Sequence, residues 1–424
     1  MSYVEAIGTN VRLKLPDQPL INRADGCWLY STEGYKYFDA SAGSGAVNLG
    51  HQHPQLLDII SQQSKQIIHT GWNIACESRE NFIETLGRFS PYIGCSILPA
   101  VSGAEAVEAA IKIARAHNGR RSVISFEHGF HGKTEGALMA TWRDSFRSYS
   151  FIRDPDAMYR LPSPSGDNIE SCKDALSRKI EFLAKKNNLP AAIIIEPIQV
   201  AEGVHMIDSG FLAHMIAVCK SYEIVSIFDE IYTGFGRSGS PFYCSSYSEG
   251  KLPDLMLVGK SMTNGFPMSA VIGKSYVVDS LPYGVHSSTF SGSPLASSLA
   301  IKVIEIMEET KPWLKASTHC AVIVSHINDI RSKFSWVGEI RHAGLLVAFD
   351  CLDQRGGPCT KTSGKFIEIA LRKRLLLRGG GIHGATIKFT PPLVINKVEL
   401  EFFLKTLTEV FELVSEDRAL SSCR

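Results

Sequence analysis

Three short apolar runs, residues 191–196, 224–229 and 254–259, recur at a nearly even interval, and each ends in or is followed at once by a charged residue. Those residues, Glu196, Asp229 and Lys260, stand 33 and 31 positions apart, about one strand-and-helix repeat each. A fourth run of the same kind covers 122–127. Apolar runs of strand length separated by helical patterns argue for βαβ units and a mostly parallel, doubly wound sheet. In such a sheet ligands bind in the crevice outside the carboxyl ends of the strands. Glu196, Asp229 and Lys260 can therefore converge on one ligand. The alternative is that each charge marks only where its strand leaves the core.

The rest of the chain fits around that repeat. Short strands and a turn are expected before residue 45, at 27–30 and 36–38. One long helix is expected over 295–309, then a smaller α+β unit with a strand at 345–350 and a last helix near 399–413. At 424 residues the chain is long enough for two or three domains of about 150 residues each. Forty-four basic residues against 43 acidic ones leave a net charge of +1, which argues against a broad nucleic-acid face or an acidic tail. Ten cysteines occur with no C-x-x-C pair and no zinc-site spacing, so no metal is expected. The first sixteen residues lack the apolar centre of an export signal, and no run reaches the 18 or so apolar residues of a membrane span. A cytoplasmic enzyme with reduced thiols is the expectation.

Two further features carry chemistry. In Val101-Ser102-Gly103-Ala104-Glu105-Ala106-Val107-Glu108-Ala109-Ala110-Ile111, the apolar spacing of Val107, Ala110, Ile111 and Ala114 starts a helix. The free N–H groups of its first turn make an anion or phosphate site, while Ser102 with Glu105 three residues on also makes a capping box that needs no ligand. Phe130-His131-Gly132 follows the strand at 122–127, where an aromatic residue either stacks on a flat ring or packs the core.

In this order the segments resemble the class III, pyridoxal-phosphate-dependent aminotransferases. Ser102–Ala106 is similar to the family's S-G-[TSA]-E-A turn, Phe130-His131-Gly132 to its [FY]-H-G, and Glu196-Pro197-Ile198-Gln199 to its E-P-[IV]-x strand end. Residues 229–237, Asp-Glu-Ile-Tyr-Thr-Gly-Phe-Gly-Arg, resemble D-E-[IV]-x-T-G-F-G-R, and Lys260 opens a segment like K-x-[MIL]-x-[NG]-G-[FLY]-P. Ser288–Pro294 resembles S-T-[FY]-x-G-x-P, and Asn48–Pro54 matches a further stretch.

The resemblance implies a fold-type I architecture, with a large pyridoxal-phosphate domain over 46–300 and a small domain made of 1–45 and 301–424. It implies a homodimer with active sites at the interface, acting on an amino donor and a 2-oxo acid without nucleic acid or membrane. Lys260 would hold the cofactor as a Schiff base and carry the proton, and Asp229 would pair with the pyridine nitrogen. Phe130 and Ile231 would sandwich the ring beside His131. Ser102, Gly103 and Ala104 would receive the phosphate, with Thr289 of the other subunit. Glu196 would support the ring from behind.

Substrate choice is where the match departs. Many relatives that use glutamate carry E-P-[IV]-Q-G-E, whose second Glu gates an Arg close to a P-P-L-like turn. Here Ala201 takes the gate position, or Glu202 after a shift of one residue, and Lys388 replaces the Arg. Lysine offers a point charge where arginine offers a two-pronged fork. Lys133 likewise stands where Arg commonly follows F-H-G. Tyr232 is bulky for its position, and Trp72 falls where relatives place an aromatic in the neighbouring subunit's pocket or pack an interface. Two reactions stay open. One is transamination between an amine or ω-amino acid and pyruvate or 2-oxoglutarate, which the 158–164 segment favours by its likeness to V-Y-R-x-x-Y-P. The other is an aminomutase, similar to glutamate-semialdehyde aminomutase, or an epimerase using the same cofactor.

Overall fold

The computed structural model describes residues 18–148, 150, 157–247 and 251–422; the first sixteen residues read above as lacking an export signal, and Cys423, lie outside them. Seven strands form the central sheet in the order Cys95–Ala100, Ser269–Lys274, Leu255–Val258, Val225–Asp229, Ala192–Ile195, Val123–Phe126 and Met158–Leu161. All neighbours pair in parallel except Ser269–Lys274, which runs against both of its partners. The expected doubly wound sheet is present, and the reversed strand has a simple cause. Residues 259–268 are too few for the dozen or more that a parallel crossover needs, so the chain turns back beside the strand it has just left.

The strands are buried on both faces, which is why they read as unbroken apolar runs. Ile193, Ile195, Phe228, Met256 and Val258 point into one core layer, while Ala192, Ile194, Val225, Ile227, Leu255 and Leu257 point into the other. Alternation along each strand thus feeds two layers. Helix Gly103–Asn118 covers the second layer with Ala106, Val107, Ala109, Ala110 and Ile113, small enough to lie close to the sheet. Fully burying an Ile or Val of this kind stabilises by about 1.5–3 kcal/mol. The strands are thereby held at fixed heights, and the residues at their carboxyl ends with them.

Beyond the central sheet the described residues form two four-stranded sheets and the two-stranded hairpin Ile198–Gln199/His205–Met206. Ile21–Asp25, Trp28–Ser31 and Lys36–Asp39 join Leu375–Leu376, so an N-terminal strand pairs in parallel with a segment more than three hundred residues later. Val337–Ala343, Leu346–Cys351, Thr386–Phe389 and Arg378–Gly380 form the other. Helix Lys397–Ser422 backs it through Leu400, Phe403, Leu407, Val410 and Phe411, and runs past the 399–413 expected. Among the described residues no helix is long and apolar enough to cross a membrane, and no cluster of His, Cys, Asp or Glu could hold a metal ion.

Candidate active site

A cavity of about 450 Å³ opens at the carboxyl ends of the central strands. Strand ends supply Glu196, Asp229 and Lys260, which meet there as the spacing predicts. Gly103, Ala104, Phe130, His131 and Ile231 line one side, and Tyr232 and Lys388 another. Ser102 does not line it but caps the helix beside it.

The sheet side is a set of fixed carboxylates. His131 Nδ1 lies 2.8 Å from Asp229 Oδ2, with both side chains buried, and the Ile231 N–H donates to Asp229 Oδ1 at 3.2 Å. His131 is itself set by its backbone N–H donating to the Thr141 hydroxyl at 3.0 Å. Glu196 accepts from the Phe130 N–H at 2.7 Å. Burial, and then the nearby Asp229 charge, push the Glu196 carboxyl well above the usual range. Gly132 explains the last letter of the Phe-His-Gly motif. At its φ of +132° a Cβ would lie 2.7 Å from the Ala104 Cβ, so the loop can close on the helix start only without a side chain.

Lys260 is aimed into the cavity from a left-handed backbone, φ +45°. Its side chain lies with Nζ 4.4 Å from the centre of the Tyr232 ring. Burial lowers its pKa, and the attraction of Asp229 and Glu196 does not cancel that shift. A lysine in this setting sheds its proton more readily than one in water.

The helix start is capped and still leaves N–H groups over. Ser102 Oγ accepts from the Glu105 N–H at 3.2 Å, and the Glu105 carboxylate accepts from Val101 N–H and the Ser291 hydroxyl, each at 3.1 Å. Capping uses Ser102 and Glu105, whereas the N–H groups of Gly103 and Ala104 have no intrahelical acceptor and lie at the cavity wall.

Opposite the sheet, Lys388 Nζ donates to the carbonyls of Val200 and Ala201 at 3.2 and 3.1 Å. Burial pulls its pKa down to about 8, with Glu202 and Glu196 opposing. Glu202 does not pair with it. That carboxylate is taken by Arg143, which also donates to the Gly381 carbonyl at 2.8 Å. Arg378 lines the cavity too, opposite Lys388 in strand register. Neither Arg143 nor Arg378 follows from the sequence motifs, and Ser41, Ser44 and Thr390 were also missed. The pairing of 378–380 with 386–389 was the one available signal for Arg378, and it is visible only after the hairpin is known.

Two expected residues lie elsewhere. Thr289 sits on an exposed turn, and Trp72 is half-buried beside Arg79, whose guanidinium is 5.8 Å from its ring. Thr289 was expected in a neighbouring subunit's site, and Trp72 either there or packing an interface; neither lines the cavity of its own chain. Lys133 lies 4.1 Å over the Phe146 ring.

Residues 14–411 match the family model described as aminotransferase class-III. A probable 4-aminobutyrate aminotransferase of Bacillus subtilis is 31% identical over 403 residues, covering 90% of each chain. An acetylornithine aminotransferase of Methanosarcina mazei is 32% identical over 393 residues, covering 92% of each. A solved structure, a thermostable (S)-enantioselective omega-transaminase from Thermomicrobium roseum, superimposes with a TM-score of 0.85 at 26% identity, over 94% of this chain and 93% of that one.

Proposed function

The chain belongs to the class-III aminotransferases, pyridoxal-phosphate-dependent enzymes that pass an amino group from a donor to a 2-oxo acid, and from that membership we propose how its residues divide the work. The donor set fits the cofactor. Two N–H groups without intrahelical partners stand at the positive end of a 16-residue helix, ready for a phosphate. A buried carboxylate, Asp229, suits a ring nitrogen, and Phe130 and Ile231 offer flat and aliphatic walls. Among the described residues that line the cavity the lysines are Lys260, at a strand end, and Lys388 opposite.

Pyridoxal phosphate supplies an aldehyde that links to amines and a ring that takes up the electron pair left when a proton departs. Lys260 is the amine that would hold it, and the free Nζ would accept and return the proton. Asp229, oriented by His131, keeps a positive charge on the ring nitrogen. Gly103 and Ala104 hold the phosphate beside the Ser102 cap, and Thr289 reaches it from the second subunit. Glu196 fixes the Phe130 backbone, its carboxyl pushed well above the usual range by burial and by the neighbouring Asp229. Lys388 and Arg378 hold the substrate carboxylate away from Lys260, which suits ω-amino donors such as 4-aminobutyrate, whose amino group lies far from the carboxylate. Tyr232 limits the size of the donor, and Trp72 contributes to the other subunit's site.

The observation that carries this reading is the buried Lys260 lining one cavity with Asp229 and Glu196, its pKa lowered by burial despite their attraction. Borohydride reduction followed by peptide mapping tests it, and should fix the cofactor on Lys260. A panel of amines and ω-amino acids, scored by loss of the yellow colour without added oxo acid, then identifies the donor. Turnover of one amino acid to an isomer with no colour change would oppose transfer.

We further place the large domain at 46–300 and the small one at 1–45 with 301–424, supported by the pairing of Lys36–Asp39 with Leu375–Leu376. A homodimer is supported by exposed Ile67, Ile68, Ile74, Ile93 and Phe290, and sedimentation should give twice the chain mass. A cytoplasmic site would keep the nine free cysteines of the described residues reduced.

A further inference from the structure

We propose that Tyr232 is a positioning residue for Lys260: its ring face is the seat on which the lysine Nζ rests whenever that side chain is not covalently engaged. The proposal rests on the reading of Lys260 as the cofactor lysine.

Both members of the contact are held from behind. The Lys260 backbone starts a tight turn in which Met262 N–H donates to the Gly259 carbonyl at 3.1 Å and the Ser261 hydroxyl donates to the Gly45 carbonyl. The Tyr232 ring is wedged against Gly45, where a Cβ would come within 2.6 Å of ring carbon Cε1. Its hydroxyl lies 3.5 Å from Thr390 Oγ1. Gly45 therefore closes the space on that side of the ring, and the Nζ stands 4.4 Å from its centre.

Other charged groups face the same space without taking the Nζ. Asp229 and Glu196 attract it from the strand ends, His131 is engaged with Asp229, and Lys388 and Arg378 stand across the cavity. Among the described residues no carboxylate forms an ion pair with it. The distinction matters for a lysine that must alternate between ammonium and amine. A carboxylate at ion-pair distance would hold it as ammonium, and an aliphatic wall would leave the amine free to wander. A ring face attracts the ammonium modestly and still accommodates the amine. It fixes position without fixing protonation.

Three variants separate the ring from the hydroxyl and from mere bulk. Tyr232→Phe keeps the face, Tyr232→Leu keeps a smaller apolar side chain without it, and Tyr232→Gln serves as the second ringless variant if the leucine form fails to fold. The full-length enzyme is taken to its pyridoxamine form with an amino donor, which leaves Lys260 free, and carbamylation of Lys260 by cyanate is followed against pH by peptide mass spectrometry. Tyr232→Phe should reproduce the parent profile. The ringless form should titrate lower by about half a unit, with kcat down about three- to tenfold. An unchanged Lys260 profile in the ringless form, or a phenylalanine form that behaves like it, overturns the proposal. Borohydride mapping of each variant isolates the premise: cofactor fixed on another lysine defeats the reading of Lys260 and this proposal with it, whereas cofactor on Lys260 with an unmoved profile defeats the proposal alone.

Discussion

Arg143 grips Glu202 with both arms of its guanidinium, Nε to Oε1 at 3.1 Å and Nη2 to Oε2, and the carboxylate it holds is only 4% exposed. The same Nη2 reaches the Gly381 carbonyl, so the pair ties the Ile198–Gln199/His205–Met206 hairpin to the turn before Thr386–Phe389. Arg143→Met would leave Glu202 buried and unpaired. Removing one partner of a buried pair costs about 3–5 kcal/mol; with Arg143 itself 30% exposed, about 2–3 kcal/mol is expected here. Adding Glu202→Gln should return part of that loss. Denaturant unfolding of the two single variants and the double one measures it, and strictly additive losses would show that the two side chains are not coupled.

If Lys388 binds the substrate carboxylate as proposed, it would set a pH limit on acceptor binding. With its pKa pulled down to about 8, it carries a full charge at pH 7 and little by pH 9. The KM for a 2-oxo acid should therefore rise as pH passes about 8, and Lys388→Arg should flatten that rise because guanidinium keeps its proton. Stability moves the other way. The folded state releases this proton before the unfolded chain does, so between about 8 and the ordinary lysine value of 10.5 the Lys388 contribution to stability grows with pH. Weaker binding with undiminished stability across that window distinguishes the effect from alkaline unfolding. A KM that ignores pH in the parent enzyme would remove Lys388 from the acceptor site.

Asp229 and His131 form one buried unit at 2.8 Å, and their loss should be unequal. Asp229→Asn removes the charge that faces the ring nitrogen and should lower kcat on the order of 10²–10³-fold while borohydride still fixes cofactor on Lys260. His131→Ala leaves the charge but frees its orientation, and about tenfold is expected. Single-turnover rates with a saturating donor give both numbers. Equal losses would mean that His131 does more than hold Asp229 in place.

The strand-end charges and the capped helix start were legible because they are local. An apolar run ending in Glu196 or Asp229 states its position in a parallel sheet without help from the rest of the chain, and Ser102 with Glu105 announces a helix start. The opposite wall was legible only in part. Lys388 was found by its place before Pro391-Pro392, yet its real partners are the backbone carbonyls of Val200 and Ala201, which no side-chain pattern reports. Arg378 reaches the cavity through hairpin register, and Arg143 reaches Glu202 across 59 positions of sequence. Ser41 and Ser44 depend on a run of left-handed residues at 42–45, pinned by Asp39 accepting from the Ser41 and Gly43 N–H groups, and nothing in Ala-Gly-Ser-Gly demands that conformation in isolation.

Gly45 is the residue of that run on which the most depends. Its φ is +78°, and a Cβ would stand 2.6 Å from Tyr232 Cε1 and 2.7 Å from Cζ. Gly45→Ala therefore incurs two separate costs, about 1–2 kcal/mol for a side chain in the left-handed region and about 1–3 kcal/mol for overpacking. Tyr232→Leu in the same chain should relieve the second and leave the first, which a denaturant double-mutant cycle resolves. The single variant should also lose activity, because the ring it displaces is the surface under Lys260 Nζ. Restored stability without restored activity in the double variant is the expected pattern, since the leucine removes the clash and the ring together. Restoration of both would show that Gly45 serves packing alone.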